Sequence, residues 1–101
     1  MSMQNLAQLH YERFLDGGMK PQNAIRRVNT WLMIERVRGD DDYKVVAGRL
    51  AMKHEQLSRY VNLKATPRRA TVGRVAGLAG IGAEEAWWEP LWGSMWEVVG
   101  G

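Results

Sequence analysis

Residues 46–62 read VAGRLAMKHEQLSRYVN. The apolar positions Val46, Ala47 and Leu50 predict a short helix over residues 43–50, and Leu57, Tyr60 and Val61 predict a second over 54–61. Between them, Ala51–Lys53 is long enough only for a turn. Small Ala47 sits where two helices must approach closely, and Leu50, Met52 and Leu57 fill the interior behind it. The outer side then presents Lys53, His54, Glu55, Gln56 and Arg59. Two helices this short are marginal alone and need the rest of the chain to cover them.

Moving outward, residues 3–15 predict a helix with Leu6 and Leu9 on one side, stopped by Gly17-Gly18. Pro21 suits the first turn of a helix reaching Val37, whose apolar stripe is Ile25, Val28, Trp31 and Leu32. Gly39-Asp40-Asp41-Asp42 is a turn, with Asp42 expected to cap the next helix. After the basic loop 63–70, Thr71 is expected to start or cap a helix carrying Val72, Val75, Ala76 and Leu78. Glu84 onward predicts a last helix, interrupted or restarted at Pro90. No run alternates as a strand would, and nothing repeats. The expected fold is all-α, a compact domain of five or six short helices. It divides into an N-terminal helix (1–18), a helix-turn-helix unit (19–87) and a Trp-rich C-terminal segment (88–101).

The 101 residues carry a net charge of only +3, but unevenly. Residues 1–42 balance, whereas 43–74 hold Lys44, Arg49, Lys53, Arg59, Lys64, Arg68, Arg69 and Arg74 against Glu55 alone. Residues 75–101 contain Glu84, Glu85, Glu89 and Glu97 with no Lys or Arg. A nearly one-signed block coinciding with the two short helices is suited to a polyanion. The chain has no cysteine, which excludes disulfides, thiolate nucleophiles and Cys-ligated metal. No apolar run approaches a membrane span and residues 1–15 carry no signal-peptide pattern, so the cytoplasm is the expected compartment.

Residues 46–62 resemble the helix-turn-helix of the Cro and phage-repressor (XRE-like) family. The matching positions are Ala47, Leu50, Met52, the run Leu57-Ser58-Arg59-Tyr60, and Asn62. The likeness extends through Lys64…Pro67, Val75-Ala76, Leu78 and Gly80-Ile81, covering about residues 23–87. The chain departs from the pattern at Ala51, where the family has a turn glycine, and at Leu63, where a glycine commonly follows the Asn. Lys53 or His54 stands where Ser or Thr usually caps the recognition helix, and Glu55 replaces a small or amide residue. A glycine in such a turn marks a position that favours positive φ.

The resemblance implies a lambda-repressor-like fold and binding of double-stranded DNA, as an inverted repeat read by a homodimer. His54, Glu55, Gln56 and Arg59 then correspond to base-facing positions, with Gln56 suited to adenine and Arg59 to guanine or phosphate. Tyr43, Lys44, Lys53, Lys64, Arg68 and Arg69 correspond to phosphate-contacting positions. The expected function is a sequence-specific transcriptional repressor of phage, plasmid or accessory genes. The competing reading is a protein-interaction module on the same scaffold, either an inhibitor of a host complex or an antitoxin. A third is an RNA-binding or nucleoid-type protein without sequence preference.

Trp88, Trp92 and Trp96 recur at i, i+4, i+8, with Met95 beside them. On one helix they form an aromatic stripe suited either to closing the small core or to pairing two copies. The acidic tail is expected to face away from DNA. No cofactor motif is present: neither Gly77–Gly80 nor Gly80–Gly82 follows a strand or contains a phosphate-loop lysine. His10 and His54 lie on different predicted helices, and the glutamates have no nucleophile beside them, so neither metal nor enzymatic chemistry is expected.

Overall fold

The computed structural model describes residues 2–93, and these form six helices. They are α1 (Met3–Asp16), α2 (Pro21–Arg38), α3 (Tyr43–Arg49), α4 (His54–Val61), α5 (Arg69–Ala79) and α6 (Ala83–Trp88). The protein is all-α, as its periodicity predicts, and none of these helices is long and apolar enough to cross a membrane. One continuous core runs from Ala7 to Trp92, so the N-terminal helix and the segment after Trp87 share it with the central unit.

The long helix α2 lies at the centre. Its apolar stripe suggests an amphipathic helix with one buried face, yet every residue from Val28 to Ile34 is buried. The reason is topological. Helices α1, α3, α4, α5 and α6 all pack on α2 and together cover its whole circumference. Such encirclement brings polar residues inside, among them Asn29, which is wholly buried. Its amide nitrogen donates to the carbonyls of Ala86 (2.9 Å) and Glu89 (2.7 Å), and its Oδ1 accepts from the Leu91 N–H (2.9 Å). One side chain thus satisfies the end of α6 and the chain beyond it, groups a helix terminus leaves unpaired.

Local signals set most helix ends. The Ser2 hydroxyl accepts from the Asn5 N–H at 3.1 Å and caps α1, and Pro21 occupies the first turn of α2. Asp42 stands at the N-cap of α3, but its side chain makes no capping hydrogen bond, so only its charge favours that terminus. Helix α5 begins at Arg69, two residues before Thr71. Thr71 is buried on the inner face with Val72, Val75 and Ala76, a spacing that requires it to be helical already.

The aromatic stripe is corrected. Helix α6 ends at Trp88, Glu89 is extended, and residues 91–93 form a turn, so Trp88 and Trp92 do not share a helical face. Pro90 starts no helix among the described residues. Trp92 is buried, tilted against Tyr11 with its indole N–H donating to Gln8 Oε1 (2.7 Å), so it closes the core onto α1. Trp88 is 48% exposed. Met95 and Trp96 lie outside the described residues.

On α1, the His10 ring meets Trp31 edge-on at 5.3 Å, and burial, then the charge of Arg13, hold its imidazole below the usual 6.5. A base with a depressed pKa favours the folded state when neutral. Its stability contribution is therefore present above about pH 6.5 and lost as pH falls through the folded value. Urea denaturation at pH 7.5 and pH 5 should show a smaller loss for His10→Gln than for the wild-type chain. Asn29→Ala, which strands two carbonyls and an N–H, should cost about 3 kcal/mol in the same experiment at pH 7.5.

Candidate nucleic-acid interface

Helices α3 and α4 are joined by the four residues Leu50–Lys53. Leu57 and Tyr60 turn inward from α4 at i, i+3 and are buried. At 100° per residue, the direction opposite them falls between Glu55, Ser58, Arg59 and Asn62. Glu55, Arg59 and Asn62 are exposed there and Ser58 is half-buried. His54, Glu55, Gln56 and Arg59, the expected base-facing set, are all exposed, but they do not share one face. Glu55 and Arg59 lie one turn apart on the outer face, while His54 and Gln56 fall on opposite flanks. Gln56 leans back toward the core, its amide donating to the Tyr60 hydroxyl at 3.4 Å. Asn62 caps the end of α4, donating to the Ser58 carbonyl at 2.9 Å and to its hydroxyl at 3.2 Å.

The termini of α3 and α4 carry the most informative backbone geometry. Four helices end with an N–H bonded to the carbonyl five residues earlier: Met19 to Phe14, Met52 to Ala47, Lys64 to Arg59 and Ile81 to Ala76. This is the Schellman arrangement, which places the residue before the donor at positive φ. At the ends of α1 and α5 that residue is Gly18 (φ 93°) or Gly80 (φ 74°). At the ends of α3 and α4 it is Ala51 (φ 52°) or Leu63 (φ 59°), the only non-glycine residues at positive φ among the described ones. These are the two positions at which the chain departs from the glycines of the helix-turn-helix pattern. The backbone adopts the glycine conformation without the glycine.

Each of these turns is gripped by an arginine from another helix. Arg74 of α5 donates to the Leu50 carbonyl at 2.9 Å, beside Ala51. Arg27 of α2 donates to the Leu63 carbonyl at 3.1 Å and to the Thr66 hydroxyl at 2.8 Å. Charge-assisted bonds to backbone carbonyls help hold a strained turn closed. Arg27 and Arg74 have no sequence signature for this role, because each partner lies more than twenty residues away.

The basic block accordingly divides in two. Among the described residues, the side chains of Lys44, Arg49, Lys53, Arg59, Lys64 and Arg68 have neither an ion-pair nor a hydrogen-bond partner. Lys44, Lys53, Lys64 and Arg68 are exposed, as expected of phosphate contacts, and Arg49 is an exposed cation the sequence reading did not single out. Arg69 and Arg74 are committed within the molecule. Arg69 pairs with Glu84 at the surface and lies 5.5 Å from the Trp87 ring centroid, so its guanidinium is drawn toward α6. Tyr43 is also engaged. Its hydroxyl donates to Glu35 Oε1 at 2.6 Å, and Arg38, itself paired with Glu35, lies 4.5 Å from its ring centroid. Burial, then the Glu35 hydrogen bond, raise the Tyr43 pKa, and the proton it keeps is already given to the Glu35 carboxylate rather than offered to a phosphate.

Between Tyr43 and α4 a cleft of about 240 Å³ opens, lined by Tyr43, His54, Leu57, Ser58, Val61 and Asn62. Among the described residues no three His, Asp or Glu side chains gather into a cluster able to hold a metal ion.

Ala51 is exposed and pays the left-handed penalty of an L-residue with no packing in return. Ala51→Gly should therefore raise unfolding free energy by about 0.5–1 kcal/mol, the strain relieved less the entropy glycine adds to the unfolded chain. A lower denaturation midpoint in the variant would contradict this assignment of strain.

No protein-family model matches the chain, and no curated protein or solved structure is significantly similar to it.

Proposed function

We propose that the protein is a sequence-specific DNA-binding regulator of the Cro and phage-repressor type, acting as a homodimeric repressor. Helix α4 would enter the major groove, with α3 across the backbone behind it. The observation that carries this reading is the set of six unpartnered cations running along α3, the turn, α4 and the following loop. A cation held in an internal pair has little to offer a phosphate, whereas these six are free to displace condensed counterions. The glycine-type backbone at Ala51 and Leu63 supports the family resemblance independently of charge.

Arg59 is the residue best suited to a base edge, on the outer face of α4. Glu55 beside it can accept from a cytosine amine, and it disfavours a nearby phosphate. Lys44, Lys53, Lys64 and Arg68 are assigned to phosphates, with Arg49 added to them. Arg69 and Tyr43 are not, for the reasons of geometry above. The exposed Trp88, on α6, supports a surface for pairing two copies. The same exposed ring supports the second reading, a module that binds another protein through the scaffold.

Selection from a pool of random duplex DNA with the purified chain should return an inverted repeat. With that site in hand, Arg68→Gln should weaken binding to every sequence and lower the slope of log affinity against log salt by about 1.8 for the dimer, about 0.9 for each copy. Arg59→Ala should instead relax preference at one base position in each half-site, by about 1–3 kcal/mol. Arg74→Gln should weaken binding while leaving the salt slope unchanged, because its charge serves the turn. Affinity for duplex that is indifferent to removal of Arg59 and Arg68 would favour the protein-interaction module.

A further inference from the structure

The cleft between Tyr43 and α4 has no role in the DNA-binding reading, and its lining is chemically specific. Leu57 and Val61 supply an apolar surface and Tyr43 a flat aromatic one, while His54, Ser58 and Asn62 bring polar groups. No Lys, Arg, Asp or Glu lines it, so nothing there compensates a charged ligand. The Tyr43 hydroxyl is occupied by Glu35 and Arg38 lies 4.5 Å from its ring centroid, so what Tyr43 offers an occupant is the part of its ring that lines the cleft. The Asn62 amide nitrogen is likewise spent on Ser58. What Asn62 retains is its Oδ1, an acceptor with no partner among the described residues.

We propose that this cleft binds a small, neutral, planar heteroaromatic ring bearing an exocyclic amine, of the size of a free aminopurine or aminopyrimidine base. The flat face would lie against Tyr43, Leu57 and Val61, and the amine would donate to Asn62 Oδ1. The volume of about 240 Å³ lies just below the usual range for drug-sized ligands, which restricts the occupant to one or two fused rings. An occupant would also stand against Ser58 and Asn62, which belong to the outer face of α4. Binding of the ring and binding of DNA are therefore mutually exclusive, and the ring acts as a releasing effector. That regulatory half rests on the DNA-binding reading; the ring site itself does not.

The test uses the full chain labelled with ¹⁵N and ¹³C, titrated with free adenine, free cytosine and unsubstituted purine. Adenine or cytosine should shift the signals of Tyr43, His54, Val61 and Asn62 with a dissociation constant on the order of 0.1–1 mM, as suits about ten ligand atoms. Purine, lacking the amine, should bind at least about fivefold more weakly, the worth of one hydrogen bond. Val61→Trp fills the cleft from a half-buried position and should abolish the shifts while circular dichroism stays unchanged. Should that variant fail to fold, Asn62→Ala serves instead: it should abolish the preference for adenine over purine, and a preference that survives overturns the assigned acceptor. Absence of localised shifts at 10 mM base, or shifts that persist in folded Val61→Trp, overturns the site. Adenine that occupies the cleft yet leaves duplex affinity unchanged overturns the regulatory half. A chain that binds no duplex at all refutes the function proposed above, while the ring titration still decides the cleft.

Discussion

Asn29, itself wholly buried, makes three hydrogen bonds that fix where the chain goes after α6, and the shape of the domain depends on them. Without them, the carbonyl of Ala86 and the N–H of Leu91 would be desolvated with no partner, and burial of Leu91 and Trp92 alone would have to draw this segment back to α2. Once it returns, Leu91 and Trp92 seal the far side of the core, and Trp92 reaches α1 through Gln8 and Tyr11. The last described residues thereby clasp the first helix. The encirclement of α2 is what makes a fully buried amide tolerable, because each of its polar atoms meets a backbone group with the same need.

A closed core has a direct consequence for α3 and α4. These helices have seven and eight residues, too few to persist unaided. Their placement comes from burial of Val46, Ala47, Leu50, Leu57 and Tyr60, and from arginines that reach in from α2 and α5 to the carbonyls at each turn. The left-handed conformations at Ala51 and Leu63 are tolerated because both ends of α4 are held in this way. Leu63 also packs against the core, which is a reason for a side chain there that glycine cannot supply.

Charge is distributed by the same logic. The basic segment of the sequence is not a uniform surface, since Arg74 is spent on a turn and Arg69 on Glu84 and Trp87. Arg26 lies 3.4 Å from the centroid of the same Trp87 ring and donates to its carbonyl, so two guanidiniums flank one indole at the junction of α2, α5 and α6. Glu84 thus offsets one cation of the basic block, Arg69, through a pair at the surface. What remains outward is a smaller set of cations, concentrated on the elements around α4.

The helical periods, the stops at Gly17-Gly18 and Gly39, and the short pair 43–50 and 54–61 were legible from the residues alone, because each rests on interactions within a few positions of the chain. So was the exposure of His54, Glu55, Gln56 and Arg59, which follows from Leu57 and Tyr60 pointing inward. The sequence could not separate structural arginines from free ones, since Arg27, Arg69 and Arg74 find their partners across the fold. It could not show that α2 is buried on every side, because a helix's own pattern describes one face and its neighbours decide the others. It marked a break in the tryptophan stripe at Pro90 but not where the chain goes next: the residue before the proline is extended, and the hydrogen bonds of Asn29 hold the turn that carries Trp92 into the core. Local periodicity determined the helices; contacts between residues distant in sequence decided which of their side chains remain available to a partner.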